Sequence, residues 1–352
     1  MKKNLSAIIV LVSASAFSLH ANTAGQFLKA GFGARAIGLG RAYSVVTNDA
    51  GSLYWNPAGL AQITGEKTII RELDLKKEAE SAFEEGSEFD ELMEEMEGDA
   101  GVSPAENLPG IERIERRTEV QVYGAFSQMS LDRQLGYLGV GMTALSGTFG
   151  VGALGTMVSG IDGFDTAGTS TGSQNYSAFA GFFGYAQEVG AMRLGVSAMG
   201  MQENIGNGGS VNGGGLNAGL QIVPIPILSA GASVQNLFGV VGTRAESGAS
   251  YEKLDTILNV SIALTTPPPN SNLKILMGFT TNLDEPETEG LRINLGVAVG
   301  LNSFSYLMAG LDGGRPSGGF GLNFKNFQFA YALNTDQQSI DLQHSVEANV
   351  VF

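Results

Sequence analysis

The chain contains no cysteine, one tryptophan and two histidines in 352 residues, and only 16 % of its residues are charged. The absence of cysteine excludes disulfides, thiol catalysis and thiolate metal sites. A soluble domain carries roughly 25 % charge, so this chain has little charge to place in water. After the N-terminus no run of about 20 apolar residues exists, which excludes membrane-spanning helices. These absences together favour strands with one apolar and one polar face.

Residues 1–21 have the pattern of a secretory signal peptide. Lys2 and Lys3 supply the positive start, and an apolar stretch extends from Leu5 to Phe17. Leu19-His20-Ala21 is an acceptable cleavage site, so we expect cleavage near Ala21. A membrane anchor is the alternative, but the apolar stretch is short for one.

The negative charge of the chain is concentrated in one segment. Residues 66–117 hold 17 acidic and 7 basic residues, a net charge of −10, within a total of −15. Such acidity argues against nucleic acid as a partner. The spacing of Leu75, Ala79 and Phe83 predicts one or two short acidic amphipathic helices on the periplasmic side. This insert is either a solvated spacer or a docking element.

The rest of the chain alternates between apolar and polar residues with period two. Val346, Ala348, Val350 and Phe352 share one face of the last segment, and polar residues occupy the other. This is the pattern of a strand between lipid and a polar interior. Fourteen such segments are predicted: 118–128, 135–145, 148–159, 175–187, 191–203, 213–222, 227–238, 255–265, 273–283, 291–301, 304–311, 318–325, 327–334 and 341–352.

The even strand count and the connections between the strands predict a closed transmembrane β-barrel over residues 118–352. An open sheet edge is not tolerated in lipid. With the C-terminus on the periplasmic side, the predicted outer connections, such as 160–174 and 239–254, are longer than the periplasmic ones. Bacterial outer-membrane barrels have this asymmetry. The predicted location is therefore the outer membrane of a Gram-negative-type envelope.

Residues 25–60 do not alternate, and they carry four recognisable pieces. These are Gly33-Ala34-Arg35-Ala36, Gly38-Leu39-Gly40, Asn48-Asp49-Ala50 and Tyr54-Trp55-Asn56-Pro57-Ala58-Gly59-Leu60. As a block of about 40 residues they closely resemble the N-terminus of PorV/PorQ-like outer-membrane proteins, relatives of the FadL long-chain fatty-acid transporters.

That resemblance implies an all-β fold, a 14-stranded antiparallel barrel whose N-terminus folds into the lumen as a hatch. Residues 22–65 would form the hatch, with Gly38, Gly40, Trp55, Asn56, Pro57 and Ala58 as its motif residues. It also implies passive transport of hydrophobic molecules or, in the PorV branch, a role in protein secretion. The acidic insert departs from the family pattern.

Three motifs suggest enzymes, and none has the structural setting that its chemistry needs. Gly31-x-Gly33-x-x-Ala36 matches a dinucleotide fingerprint without the βαβ unit around it. Gly168-x-Ser170-x-Gly172 matches a nucleophile elbow without a following helix. His344 faces lipid by alternation, as in outer-membrane phospholipases, but no partner serine is identifiable. We therefore expect no enzyme activity and no catalytic residue.

The candidate binding residues are three cations that alternation places on the inner face. Arg193, Lys274 and Arg292 lie among small residues, where they either bind a ligand carboxylate or pair with acids such as Glu203 or Glu347. One histidine after the signal peptide and no cysteine cannot build a usual zinc site. The acidic residues 284–289 either hold a weak cation or form a solvated loop, and the solvated loop is the prediction. Neither a metal nor a cofactor is expected.

Two functions remain open from the sequence. The first is an outer-membrane FadL-like channel for passive uptake of long-chain fatty acids or other hydrophobic molecules. The alternative is a PorV-like protein that interacts with secreted or periplasmic proteins. In both, membrane lipid surrounds the barrel.

Overall fold

The computed structural model describes residues 24–63, 119–335 and 342–352, apart from 131, 145, 165–166, 207–208, 246–247 and 267–271. The predicted acidic insert and signal peptide lie outside these residues. Fifteen strands are present in the described chain. They are β1 (Val120–Gln128), β2 (Gln134–Ala144), β3 (Gly147–Phe164), β4 (Ser170–Val189), β5 (Met192–Ile205), β6 (Ser210–Ile225), β7 (Leu228–Ala245), β8 (Gly248–Lys253), β9 (Ile257–Thr265), β10 (Leu273–Asn282), β11 (Leu291–Gly300), β12 (Ser305–Asp312), β13 (Arg315–Phe324), β14 (Phe327–Thr335) and β15 (Leu342–Val351).

The strands close into an antiparallel barrel with fourteen wall positions. Neighbours in sequence pair with each other, β1 pairs with β15, and β6 pairs with β7. The short strand β8 pairs only with residues 240–245 of β7, and residues 228–235 of β7 pair with β9. β8 and β9 therefore form one interrupted wall strand. The prediction of a 14-stranded barrel is confirmed, since every predicted strand overlaps an observed one.

The alternation of side chains divides the wall into an apolar exterior and a polar interior. On β15, Gln343, Ser345 and Glu347 are buried towards the lumen, whereas His344 is exposed on the outside. Large apolar side chains are exposed all around the barrel, and this exterior fits a barrel of outer-membrane type. They include Leu138, Val151, Phe179, Phe183, Val196, Leu216, Ile275, Ile293, Leu307 and Phe320. No helix in the described ranges has the length and apolarity needed to cross a membrane.

The two ends of the barrel differ less in loop length than the sequence predicts. We call the end with residues 146, 190–191, 226–227, 301–304 and 325–326 the turn end, and the other the loop end. The predicted outer loops 160–174 and 239–254 are wrong, because most of their residues belong to the hairpins β3–β4 and β7–β8. Beyond the bilayer both faces of a hairpin meet water, so no alternation marks its strands.

Residues 24–63, here called the N-terminal segment, fill the lumen with short helices. These are a 3₁₀ turn (Gln26–Lys29), α1 (Ala34–Gly38), α2 (Ser52–Trp55) and a second 3₁₀ turn (Pro57–Gln62). The backbone N–H of Gly25 donates to Glu203 near the loop end. Thr148, near the turn end, donates to the carbonyl of Ile63 at 3.3 Å. The segment therefore passes through the barrel from one end to the other.

Glycines bring the N-terminal segment directly against the wall. Gly296 and Gly310 are register partners on β11 and β12. A Cβ on Gly296 would lie 2.6 Å from the carbonyl oxygen of Leu39. Gly40 opposite them has a φ of +59°, which an L side chain rarely adopts. At this level of the barrel, no residue larger than glycine fits without moving the segment.

Candidate functional site

The centre of the lumen is an aromatic cluster contributed by both segment and wall. Phe32 is fully buried and stacks on Tyr137 of β2, with 4.1 Å between ring centroids. Trp55, the only tryptophan, is 6 % exposed and packs edge-on against Tyr54 and Tyr43. Its Nε1–H donates to the carbonyl of Phe32 at 3.1 Å. These buried rings fill the middle of the lumen.

Arg35 connects α1 to the closing strand β15. Its guanidinium forms ion pairs with Asp49 of the segment and with Glu347 of the wall. Tyr123 of β1 donates to the same Glu347 at 2.9 Å. The two carboxylates are almost wholly buried, so the pairs form in a low-dielectric interior. Arg35 thus ties the segment to the seam where the barrel closes.

Arg41 makes the corresponding connection on the opposite wall. Its Nε lies 3.2 Å from a carboxylate oxygen of Asp312, which is fully buried, and its Nη atoms donate to the carbonyls of Lys29 and Ala30. Arg292 reaches the other oxygen of Asp312 at 3.8 Å. Arg41 holds a φ of +61°, an uncommon conformation for a residue with a side chain.

Asn56 and Pro57 fold the end of the segment against strands β5 and β6. The Asn56 side chain accepts from the N–H of Ala58 at 3.1 Å and donates to the carbonyls of Ser44 and Leu220. Pro57 occupies the first turn of the second 3₁₀ turn, where its fixed φ suits the bend. Asn56, Pro57 and Ala58, three of the expected motif residues, are buried in these contacts.

The N-terminal segment separates two cavities. The loop-end pocket has a volume of about 50 Å³ and is lined by Lys29, Arg41, Arg292, Tyr54, Trp55 and Asn259 among others. The turn-end cavity has a volume of about 570 Å³ and is lined by Lys274, Arg35, Leu39, Met308, Tyr306 and several amide side chains. Cationic side chains therefore face both cavities.

The three predicted binding residues face the lumen side of the wall but do not share one site. Arg292 lies at the loop-end pocket and Lys274 at the turn-end cavity. Arg193, near the turn end of β5, lines neither cavity and has its Nε 3.9 Å from Glu188. Alternation predicts which face of a strand a residue occupies. It does not predict where that residue lies along the barrel axis relative to the N-terminal segment. Glu203 instead accepts from Tyr176 at 2.8 Å.

One feature of the wall escaped the sequence analysis. Asn236 and Phe238 on β7 have φ values of +58° and +54°, and the register with β6 shifts beside them. The facing wall strand is interrupted between β8 and β9 at the same level. Phe238 is 83 % exposed on the outside. Non-glycine residues in the left-handed region give no signal in a sequence pattern.

The enzyme-like motifs are dispersed in the fold. Gly168 lies in the connection between β3 and β4, and Ser170 and Gly172 belong to β4, so no helix follows the serine. His344 is on the exterior, where its Nδ1 lies 2.8 Å from the Tyr331 hydroxyl. Gly31 and Gly33 precede α1, which has five residues and no adjacent parallel strands.

The prediction of a loop over residues 284–289 is wrong in part, because Pro286–Glu289 form one helical turn with the proline at its start. This stretch begins with a bound carboxylate. Asp284 is 2.5 Å from Lys253 Nζ and accepts from the N–H of Thr256 at 2.8 Å. Partial burial alone would raise the pKa of Asp284, but these hydrogen bonds outweigh it and hold the pKa below its ordinary value. No group of three potential metal-ligating side chains occurs in the ranges that the structure describes.

No family model matches the sequence, and no curated protein matches it. Several solved outer-membrane barrels match the structure weakly. The toluene transporter TodX of Pseudomonas putida is 11 % identical with a TM-score of 0.43, over 66 % of this chain and 87 % of that one. The toluene transporter TbuX of Ralstonia pickettii is 13 % identical with a TM-score of 0.42, over 66 % and 87 %. Omp33 of Acinetobacter baumannii is 7 % identical with a TM-score of 0.39, over 67 % and 98 %. Similarity at this level does not assign the chain to any of their families.

Proposed function

We propose that this protein is an outer-membrane channel for the passive uptake of hydrophobic small molecules, with long-chain fatty acids as the ligand class. The observation that carries the proposal is that the N-terminal segment fills the lumen and that a cavity lined by cations lies on each side of it. A general porin needs an open aqueous channel, whereas a solute-selective channel needs a barrier that yields to its ligand. The N-terminal segment is that barrier, and it acts as the hatch.

The way in which the segment is attached supports a movable hatch. Its links to the wall are ion pairs and side-chain hydrogen bonds, such as Arg35 with Glu347 and Ser44 with Ser261 at 2.6 Å. No residue of the segment belongs to a strand of the barrel sheet. The segment can therefore shift without breaking the backbone pairing that keeps the barrel closed.

The loop-end pocket supplies the recognition element. Arg292 is only 34 % exposed and lies beside Arg41 and the fully buried Asp312. A ligand carboxylate that enters this pocket competes with Asp312 for the two guanidinium groups. Such competition loosens the ion pair that holds the segment. The ligand then leaves through the turn-end cavity or sideways at the irregular wall around Asn236.

Native mass spectrometry of the delipidated protein tests this proposal. We expect stoichiometric binding of a long-chain fatty acid and weaker binding of the alcohol of equal length. The variant Arg292→Gln should lose at least about tenfold in fatty-acid affinity, since a charge-assisted hydrogen bond contributes roughly 1.5–3 kcal/mol. Arg193→Gln is the control, because Arg193 is an inward cation outside both cavities. Absence of fatty-acid binding, or equal losses in both variants, contradicts the proposal.

A second candidate function is supported by the β3–β4 hairpin. β2 pairs with β3 only as far as Met157, and β5 pairs with β4 only from Tyr176 onwards. Among the described residues, the hairpin extends beyond both of these ladders, and Ile161 and Phe164 on it are 44 % and 55 % exposed. Free strand edges pair readily with another chain. This surface favours a PorV-like protein that holds secreted proteins at the outer membrane.

Shortening the hairpin distinguishes the two functions. A variant in which residues 160–173 are replaced by a two-residue turn keeps every wall pairing between β2 and β5. If the protein acts in secretion, mild pull-downs from this variant lose the secreted proteins that the unaltered chain recovers. If it is a channel, fatty-acid binding persists and the pull-downs do not change.

A further inference from the structure

We propose that the turn-end cavity is a separate binding site for monoanionic organic carboxylates, in which Lys274 binds the carboxylate group. This goes beyond the proposed uptake function, because the cavity opens towards the turn end and binding there requires no movement of the N-terminal segment.

Lys274 differs from Lys29, Arg35, Arg41 and Arg292, the other cations that line the two cavities. It lies on the inner face of β10, half-buried, in register with Ala298 of β11. Within the described residues it has neither an ion pair nor a hydrogen bond. The lumen cations Lys29, Arg35, Arg41 and Arg292 each contact a carboxylate. A half-buried ammonium group without a counter-ion is costly, so an anion at this position is stabilising.

The carboxylates of Asp49 and Glu347 do not serve as the counter-ion of Lys274. Asp49 and Glu347 are engaged by Arg35, and neither lines the cavity. Arg35 does line it, but its guanidinium is committed to those two carboxylates and to Asn48. Lys274 is thus the charge available to a ligand in this cavity.

Three amide side chains that line the same cavity as Lys274 have oxygens that already accept a hydrogen bond. The Asn48 oxygen accepts from Arg35 at 2.8 Å, the Asn302 oxygen accepts from the N–H of Ser305 at 2.8 Å, and the Gln328 oxygen accepts from Asn349 at 3.3 Å. With their oxygens occupied, these amides keep their N–H₂ groups for a ligand, and N–H groups favour anions. All three residues line the cavity.

The rest of the lining defines the class of anion. Leu39, Val46 and Met308 are apolar, whereas Asn272, Asn302 and Asn323 next to the turns are polar. An amphiphile fits such a lining, with its apolar part towards the segment and its head group among the amides. One available ammonium group with neutral donors matches a single negative charge. Phosphate groups are more often bound by arginine forks or several cations. The volume of about 570 Å³ lies in the usual range of small-molecule sites.

Lysine footprinting of the full protein in detergent tests the proposal. The ε-amino groups are labelled by reductive methylation, and mass spectrometry measures the labelling rate of Lys274 and of Lys325. Lys325 is exposed at the same end of the barrel, in the β13–β14 turn, and serves as the internal reference. The probes share one chain length and differ in head group: hexanoate, hexanol and hexyltrimethylammonium, with inorganic phosphate as a polar anion.

We expect hexanoate to slow the labelling of Lys274 at least threefold, about the effect of two-thirds occupancy, and to leave Lys325 unchanged. Hexanol, hexyltrimethylammonium and phosphate should have no comparable effect. Equal protection by phosphate would overturn the carboxylate assignment. Equal protection by hexanol would show that Lys274 is merely covered by apolar material. A Lys274 that resists labelling without any probe would show that the cavity is closed, and would also overturn the proposal.

Variants at Lys274 give an independent readout by calorimetric titration with hexanoate. Lys274→Met should lower the affinity at least about tenfold, whereas Lys274→Arg should retain most of it, because charge and reach persist. Lys325→Met is the matched control and should bind normally. The retention of full affinity in Lys274→Met contradicts the proposal. Because the assays measure binding in the turn-end cavity, their result is independent of whether Arg292 takes part in uptake.

Discussion

Arg41 of the N-terminal segment and Asp312 of the barrel wall form an ion pair, with 3.2 Å between Nε and Oδ2 and with the Asp312 side chain fully buried. The pair joins a residue with a left-handed backbone to the loop end of β12. Arg292 and Asn294 also contact the Asp312 carboxylate. Asp312 therefore holds the segment on this side of the lumen, as Glu347 does at the seam where the barrel closes.

Substitution of Asp312 by asparagine should release this part of the segment. Arg41 and Arg292 would then lose the carboxylate that both contact. Removing one partner of a buried ion pair costs about 3–5 kcal/mol. We expect Trp55 emission to shift to longer wavelength at a lower urea concentration than in the unaltered protein. Trp55 is a suitable reporter because it is the only tryptophan and lies in the segment.

The control for this substitution is Asp284→Asn, which removes a carboxylate from a pair with an exposed lysine. Exposed pairs contribute about 0–1 kcal/mol, so the urea midpoint of Trp55 should hardly move. Similar midpoints for the two variants would show that Asp312 does not hold the segment.

The glycine contact between the segment and the wall makes a second prediction. In Gly296→Val the new side chain would occupy the space of the Leu39 carbonyl, since even a Cβ would lie 2.6 Å from it. We expect faster hydrogen exchange in residues 34–45 with an unchanged heat-modifiable barrel. Gly200→Val on β5 is the control, because no atom lies within 4 Å of a Cβ there. Unfolding of the barrel by Gly296→Val, or the same exchange in both variants, would contradict the interpretation.

Asn56 provides a third test, at the other end of the segment. Asn56→Ala removes the cap on the Ala58 N–H and leaves the carbonyls of Ser44 and Leu220 without this donor. The Ser44 carbonyl keeps the Gln221 side chain as a donor at 3.1 Å, so the Ala58 N–H is the buried group that loses its partner, at a cost of about 1–3 kcal/mol. We expect the Trp55 urea transition to move to lower urea by a corresponding amount. Asn175→Ala, at an exposed position of the β3–β4 hairpin, should leave the transition in place.

A pH dependence is expected at the loop end. The pKa of Asp284 is held below its ordinary value by Lys253 and Thr256, against the opposing effect of burial. A carboxyl with a lowered pKa contributes its full stabilisation above the unfolded-state pKa of about 3.9. The contribution is lost as the pH falls through the lower folded-state value. Hydrogen exchange of residues 283–285, corrected for the intrinsic rate, should therefore accelerate below about pH 4.

Asp284→Asn removes this titration, so its exchange profile should be flat over the same pH range. An acceleration that persists in the variant would assign the effect to another group. The Lys253 side chain is 60 % exposed, and added salt should weaken the link in the unaltered chain.

The wall of the barrel could be predicted from the sequence because each strand separates two solvents. Lipid on one side and a polar lumen on the other impose period two on the side chains. The outward position of His344 and the inward positions of Arg292 and Glu347 follow from that period alone. Where both faces meet water, as in the β3–β4 hairpin, the period disappears, and the strand extension was missed.

The arrangement inside the lumen was decided by the tertiary structure alone. The partners Arg35 and Glu347 are 312 positions apart, and no local pattern brings them together. The heights of Lys274 and Arg292 relative to the N-terminal segment depend on how that segment packs against wall glycines such as Gly296. Alternation determined which residues face the lumen, because side-chain direction is a local property of a strand. Which of those residues share a cavity depended on contacts between segments distant in the chain.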